Sequence, residues 1–124
     1  MCKTIKQKVS FKAPPETVYP ILAELIGAPP KGTTRIGERF KADGAKGVIV
    51  DLAVPERIVQ AWRSSDFGEG IFSMAAFVLK ETKKGGTELT LTHRGVPKDL
   101  IPKVEARWRE RCWARIKSEL AAQS

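Results

Sequence analysis

The chain is poor in the residues that most enzymes use. It has one histidine, His93, and two cysteines, Cys2 and Cys112, far apart in sequence. A metal site on imidazole would need thiols or carboxylates gathered from elsewhere, and no metal-ligand spacing exists. No metal and no other cofactor is expected. Glycine-rich phosphate loops of the Walker or dinucleotide type are absent. Gly68-Glu69-Gly70 and Gly85-Gly86 read as loop and hairpin glycines. No apolar run approaches the roughly 20 residues that span a bilayer. Met1 to Lys8 lacks the apolar core of a signal peptide. Two unclustered cysteines suit free thiols in a reducing compartment, so a cytoplasmic location is expected.

What the chain does have is positive charge. The formal net charge is +8 over 124 residues, with 42% hydrophobic residues. That length and composition fit a single folded domain over residues 1–124. Lys3, Lys6, Lys8 and Lys12 crowd the first strand, and Arg107, Arg109, Arg111, Arg115 and Lys117 crowd the last helix. Glu105, Glu110 and Glu119 interrupt the second group, and no aromatic stands among the first. Specific nucleic-acid binding is therefore not expected, since charge alone supports only non-specific attraction. A basic surface also suits steering toward an acidic protein partner.

Hydropathy alternates with period two over residues 4 to 12, which predicts a half-buried strand. Pro14 and Pro15 end it and suit the first turn of a helix over Pro15 to Leu25, which Pro20 should bend or split. Gly27 to Gly32 is turn-rich. Strands are expected over Glu38–Ala42, Lys46–Val54, Arg57–Arg63, Ile71–Lys80 and Thr87–Arg94. Asp43-Gly44 and Lys83 to Gly86 make hairpin turns. In the third strand Val48, Val50, Leu52 and Val54 share a face. Ile71–Lys80 is apolar on both faces and should be central. Pro97 to Ala122 then forms one long helix, whose apolar stripe Ile101, Val104, Trp108, Cys112, Ile116, Leu120 drifts and is widened by Trp113. Six strands with hairpin links and one helix on either side give an α+β fold: an antiparallel sheet covered on one face by the C-terminal helix.

Within that frame the candidate site residues are few. His93 shares parity with Leu89 and Leu91 and should point inward. It then either contacts a ligand or transfers a proton, or it is a buried imidazole bonded to local structure. Glu105 and Arg109 fall at the apolar side of the last helix. They either line a cavity, with Arg109 holding an anionic group, or pair with each other at i, i+4. Trp62, Trp108 and Phe77 either cage a ligand or form core. Gln60 and Arg63 have unresolved parity.

Several motifs carry a resemblance. Ile58-Val59-Gln60-Ala61-Trp62-Arg63, Glu69-Gly70-Ile71-Phe72-Ser73, Gly85 to His93, and Trp108 with Trp113 five residues on followed by Ile116-Lys117 resemble the activator of heat shock protein 90 ATPase homologue family. That family lies within the START-like (SRPBCC) superfamily. The resemblance covers residues 5 to 122 and implies a helix-grip, birch-pollen-allergen-like fold, with a curved six-stranded sheet around the long helix. It also implies a cavity between sheet and helix. The expected function is then a non-catalytic protein holding a small amphipathic or anionic ligand, lined by His93, Glu105, Arg109, Trp62, Trp108 and Phe77. The alternative is a co-chaperone-like interaction module with a chaperone partner. A third reading, a cyclase- or hydratase-type enzyme, would need His93 as acid or base. The chain departs from the family in its short Gly27 to Gly32 segment, in having no tryptophan before Trp62, and in having Cys112 where an aromatic residue usually precedes the second tryptophan.

Overall fold

The computed structural model describes residues 2–28 and 35–123; the Pro29 to Gly32 part of the expected turn-rich loop lies outside the described residues. Six strands run β1 Cys2–Phe11, β2 Arg39–Ala42, β3 Ala45–Ala53, β4 Arg57–Ser64, β5 Ser73–Glu81 and β6 Thr87–Pro97. Helix α1, Pro15–Leu25, follows β1. The C-terminal rod opens with a 3₁₀ turn, Lys98–Leu100, and continues as α2 Ile101–Trp108, a π turn Arg109–Trp113 and α3 Ala114–Gln123. All strand pairs are antiparallel, in the order β1-β6-β5-β4-β3-β2. This is the helix-grip architecture, a curved sheet with the long helix against its inner face.

Local chemistry explains the joints. Asp43 and Gly44 both take positive φ, 50° and 82°, as a two-residue hairpin turn of the right twist requires. A Cβ on Gly47 would fall 1.7 Å from the Ala61 carbonyl oxygen, so only glycine lets β3 pass there. Helix α1 continues unsplit through Pro20. Its end is a Schellman closure: Ala28 N–H donates to the Ala23 carbonyl and Gly27, at φ 83°, to that of Glu24.

Three expectations are corrected. Strand β6 runs three residues past Arg94, to Pro97, because Val96 is still buried; α2 therefore starts at Ile101. Ile71 and Phe72 precede β5 and are exposed. In β3 a bulge between Ile49 and Asp51 breaks the alternation, leaving Val50 and Val54 exposed while Ala45 and Ile49 point inward. Strand β5 lies between β4 and β6, central as its composition predicts.

The rod solves its own drift. Four-residue steps in an α-helix advance the stripe by about 40° each. The π turn adds one residue, so Cys112 and Trp113 both reach the core and Ile116 returns to the sheet.

Candidate functional site

The inner face of the sheet is laid out in rows. Gln60, Ala75, His93 and Ile5 lie side by side across β4, β5, β6 and β1; Ile58, Phe77, Leu91 and Gln7 form the next row. Gln60 is thus inward, where its amide caps α1 by donating to the Ile26 carbonyl at 2.7 Å. Arg63 is one residue off and points away, donating to the carbonyls of Phe67 and Gly68 in the β4–β5 loop.

The rod lowers Trp108 and Trp113 onto these rows. Residues five apart on an α-helix diverge by about 140°. Across the π turn the two indoles instead stack, with centroids 6.2 Å apart and planes 24° apart. Trp108 also meets Trp62 at 5.4 Å and Phe77 at 5.3 Å. Gln7 ties the turn to β1: its side-chain oxygen accepts from Trp113 Nε1 at 2.6 Å and its amide donates to the Glu105 carbonyl at 3.1 Å.

His93 sits inside this cluster, fully buried. Trp108 Nε1 lies 3.1 Å from His93 Nδ1. An indole N–H only donates, so Nδ1 is the acceptor and the ring proton is on Nε2. Nε2 lies 2.7 Å from Ser73 Oγ, which is itself 2.7 Å from the Trp62 carbonyl. The chain of bonds is therefore directional: Trp108 to His93 to Ser73 to Trp62. It satisfies a neutral imidazole completely and offers no acceptor for a second proton. Burial, and secondarily the Arg107 charge, push the His93 pKa down to about 3. Of the two roles open to this residue from sequence, the geometry fits the imidazole bonded to structure. Cys112, also buried, has its thiol pushed up to about 12 by desolvation; it is not a thiolate at neutral pH.

The remaining expected site residues separate. Trp62, Trp108 and Phe77 join His93 in one aromatic body. Glu105 and Arg109 do not. Arg109 is exposed and lines a surface cleft with Gln7, Lys8 and Trp113. Glu105 is half-buried, and among the described residues no ion pair joins it to Arg109. The physical reason is angular: Arg109 opens the π turn and stands on the side away from Val104 and Trp108. Around Trp62, Trp108 and Cys112 the free space comes to about 20 Å³, room for about one water.

Sequence reasoning missed Arg107, which does reach the core. Its guanidinium lies 5.2 Å over the Trp62 ring, and its Nη2 donates to the carbonyls of Ala42 and Asp43. The spacing of Lys103, Arg107 and Arg111, each four apart, places three cations on one helix side and was the available signal. Ser73 gave no signal; only the sheet register brings it under His93.

This geometry has known counterparts. Residues 26–121 match the family model described as activator of Hsp90 ATPase homolog 1-like protein. The chain belongs to that family. A curated relative, an activator of 90 kDa heat shock protein ATPase homolog from Dictyostelium discoideum, is 25% identical over 98% of the chain. The chain spans about a third of that relative's length, 34%. Among solved structures, an HSP90 activator from Plasmodium falciparum superposes with TM-score 0.82 at 18% identity, covering 95% of this chain and 96% of that one. CalU16 from Micromonospora echinospora superposes with TM-score 0.78 at 23% identity, covering 96% and 74%. At these identities the two structures share the fold, which is the helix grip described above. No described helix is long and apolar enough to cross a membrane.

Proposed function

We propose that residues 1–124 act as one non-catalytic, cytoplasmic protein-interaction module that docks on a chaperone of the Hsp90 type through its surface. The observation that carries this reading is the packing of aromatic rings between sheet and helix. Trp62, Phe77, His93, Trp108 and Trp113 occupy the space between sheet and helix that an amphipathic ligand would need. Recognition then falls to the outside, which is strongly basic; Lys6, Lys8, Lys12, Arg109, Arg115 and Lys117 are all exposed. Such a surface accelerates and orients encounter with an acidic partner. The relatives named for activating this chaperone support the choice of partner.

The test is retention of a purified Hsp90-type chaperone on the immobilised protein across a salt series. Retention at low ionic strength that weakens with added salt is expected. No retention at low salt would overturn the reading. The interior site would be reinstated by an amphipathic compound that raises the melting temperature and shifts the Trp62 and Trp108 indole resonances.

A further inference from the structure

The sheet ends in two unequal edges. Strand β2 closes one with 4 residues; β1 closes the other with 10 and has β6 on one side only. Among the described residues no strand lies beyond β1, and no turn or loop bond reaches its backbone between Lys6 and Phe11. In an antiparallel ladder every second residue aims both its N–H and its C=O away from the partner strand. Alternate residues of β1 therefore offer donors and acceptors that another chain can use.

A groove runs along this edge. Its first part, about 460 Å³, lies between Gln7, Lys8 and Val9 and the rod at Arg109, Trp113 and Lys117. Its second part, about 590 Å³, lies between Ser10, Phe11 and Lys12 and the rod at Lys117, Leu120 and Gln123. Lys117 borders both parts and makes them continuous. The two walls match in length. At about 3.3 Å per residue the chain from Gln7 to Ala13 spans about 20 Å, and at about 1.5 Å per residue the rod from Arg109 to Gln123 covers about as much.

The lining carries charge of one sign. Lys8, Lys12, Arg109 and Lys117 are exposed along it, and among the described residues no aspartate or glutamate lines either part. Lys8 approaches one carboxylate outside the groove, that of Glu88 at 3.9 Å. The floor is apolar, from Val9, Phe11, Trp113 and Leu120. The parity of β1 fixes what suits it. Gln7, Val9 and Phe11 face the rod, and Lys6, Lys8 and Lys12 face the other way. A strand laid beside β1 sets its own alternate side chains against these two rows. Apolar residues then meet the groove and acidic ones meet the lysines. A second copy of this chain fits badly, because pairing β1 with its like brings lysines together.

We propose that the β1 edge receives an extended acidic segment of a partner protein, about six residues long, which adds to the sheet as a further strand. Its carboxylates lie toward Lys6, Lys8 and Lys12, and its alternate apolar side chains enter the groove. Arg109 and Lys117, on the rod side, strengthen the field that draws the segment in. This rests on the protein-interaction reading above and names where the partner enters.

The experiment titrates the ¹⁵N-labelled protein with a blocked synthetic peptide that alternates glutamate and valine. A glutamate–proline peptide of equal charge is the control, since proline has no N–H to give the edge. Saturable amide shifts are expected along β1 and along Arg109 to Gln123, at millimolar peptide or below. Hydrogen exchange should slow at every second amide of β1, and the proline peptide should bind about tenfold more weakly. Lys8→Glu should weaken the valine peptide about threefold or more. Lys117→Glu, off the strand, should do the same and covers the case in which a change in β1 disturbs the sheet. Lys41→Glu, exposed on β2 at the far edge, alters net charge equally and should bind like the parent.

The edge and the chaperone fail separately. Equal retention of the chaperone by the parent and by both groove variants would place docking elsewhere and overturn the edge alone. Saturable peptide binding with no chaperone retained would keep the edge and remove the chaperone. The proposal is also overturned if the valine peptide does not saturate, if the proline peptide binds as well, or if Lys41→Glu weakens binding as much as Lys8→Glu. In each of those cases the lysines of β1 only guard the edge against self-pairing.

Discussion

Strands β4 and β5 carry apolar side chains on both faces, and the two faces meet opposite fates. Inward, Ile58, Trp62, Ala75 and Phe77 are buried under the rod. Outward, Ala61 pairs with Met74, Val59 with Ala76 and Arg57 with Val78, with Met74 40% and Val78 45% exposed. Both faces offer aliphatic side chains, but the outer one intersperses Arg57, Arg63 and Lys80 and has no aromatic ring, and only the inner one is covered by the rod. Burial alone does not organise the inner face either. Its rings are held at fixed angles by a directional chain of hydrogen bonds, which the outer face lacks.

The contrast is broken most severely by removing a ring the chain depends on. Trp108→Ala should lower unfolding free energy by about 3–5 kcal/mol, because the lost ring leaves a cavity between Trp62, Phe77 and Trp113. It also strips the donor from His93 Nδ1. Urea unfolding followed by far-UV circular dichroism measures it. A loss under about 1 kcal/mol would mean that the interior collapses around the gap and is not specifically packed.

His93 sharpens the comparison through pH. Its folded pKa of about 3 lies well below the ordinary 6.5. As pH falls through 6.5 the unfolded chain binds a proton that the folded chain refuses. The stability owed to this depression is fully present above about 6.5 and is lost as pH drops toward about 3, at about 1.4 kcal/mol per unit of difference. His93→Asn cannot titrate. At pH 7 it should be about 2–4 kcal/mol less stable than the parent, since Trp108 Nε1 and Ser73 lose a matched partner. The gap should narrow steadily by pH 4 in parallel urea titrations. A constant gap across that range would mean that the imidazole accepts a proton in place.

Gln7 tests the polar seam at the edge of the aromatic body. Gln7→Leu is similar in size but removes the acceptor for Trp113 Nε1 and the donor to the Glu105 carbonyl. A loss of about 1–3 kcal/mol is expected, the cost of stranding a part-buried indole N–H. Hydrogen exchange should speed up first at the amides of the π turn, which this residue braces. Unchanged exchange there would separate the turn from the seam.

The sequence was legible where period alone decides. The alternation in β6 put His93 inward, Asp43-Gly44 marked its turn, and the motifs around Trp62, Trp108 and Trp113 pointed to the helix grip. It was illegible where one residue of slippage matters. The bulge at Val50 and the π turn at Arg109–Trp113 each shift every later side chain, and neither has a strong local signature. Arg109, one step past Trp108, was placed on the inner side, when it is exposed and Arg107 lies over Trp62. The filled interior was not legible either, because ring contacts depend on angles between distant elements.

The smallest effect belongs to the outer face. Phe77 and Val78 are adjacent in β5, one fully buried and one 45% exposed. Val78→Thr keeps the β-branched shape that suits a strand and places a hydroxyl opposite Thr90, its partner across β6. Its stability should stay within about 0.5 kcal/mol of the parent. Phe77→Ala, one residue away, should cost about 3–5 kcal/mol. Both are read from the same urea curves. The ratio between them measures how far the covering rod, and not the strand's own composition, sets the energetics of this sheet. If Val78→Thr cost as much as about 2 kcal/mol, the outer face would have to be covered in solution, since an uncovered position changes stability little when one methyl becomes a hydroxyl. Sedimentation of the parent would then show an assembly larger than one chain.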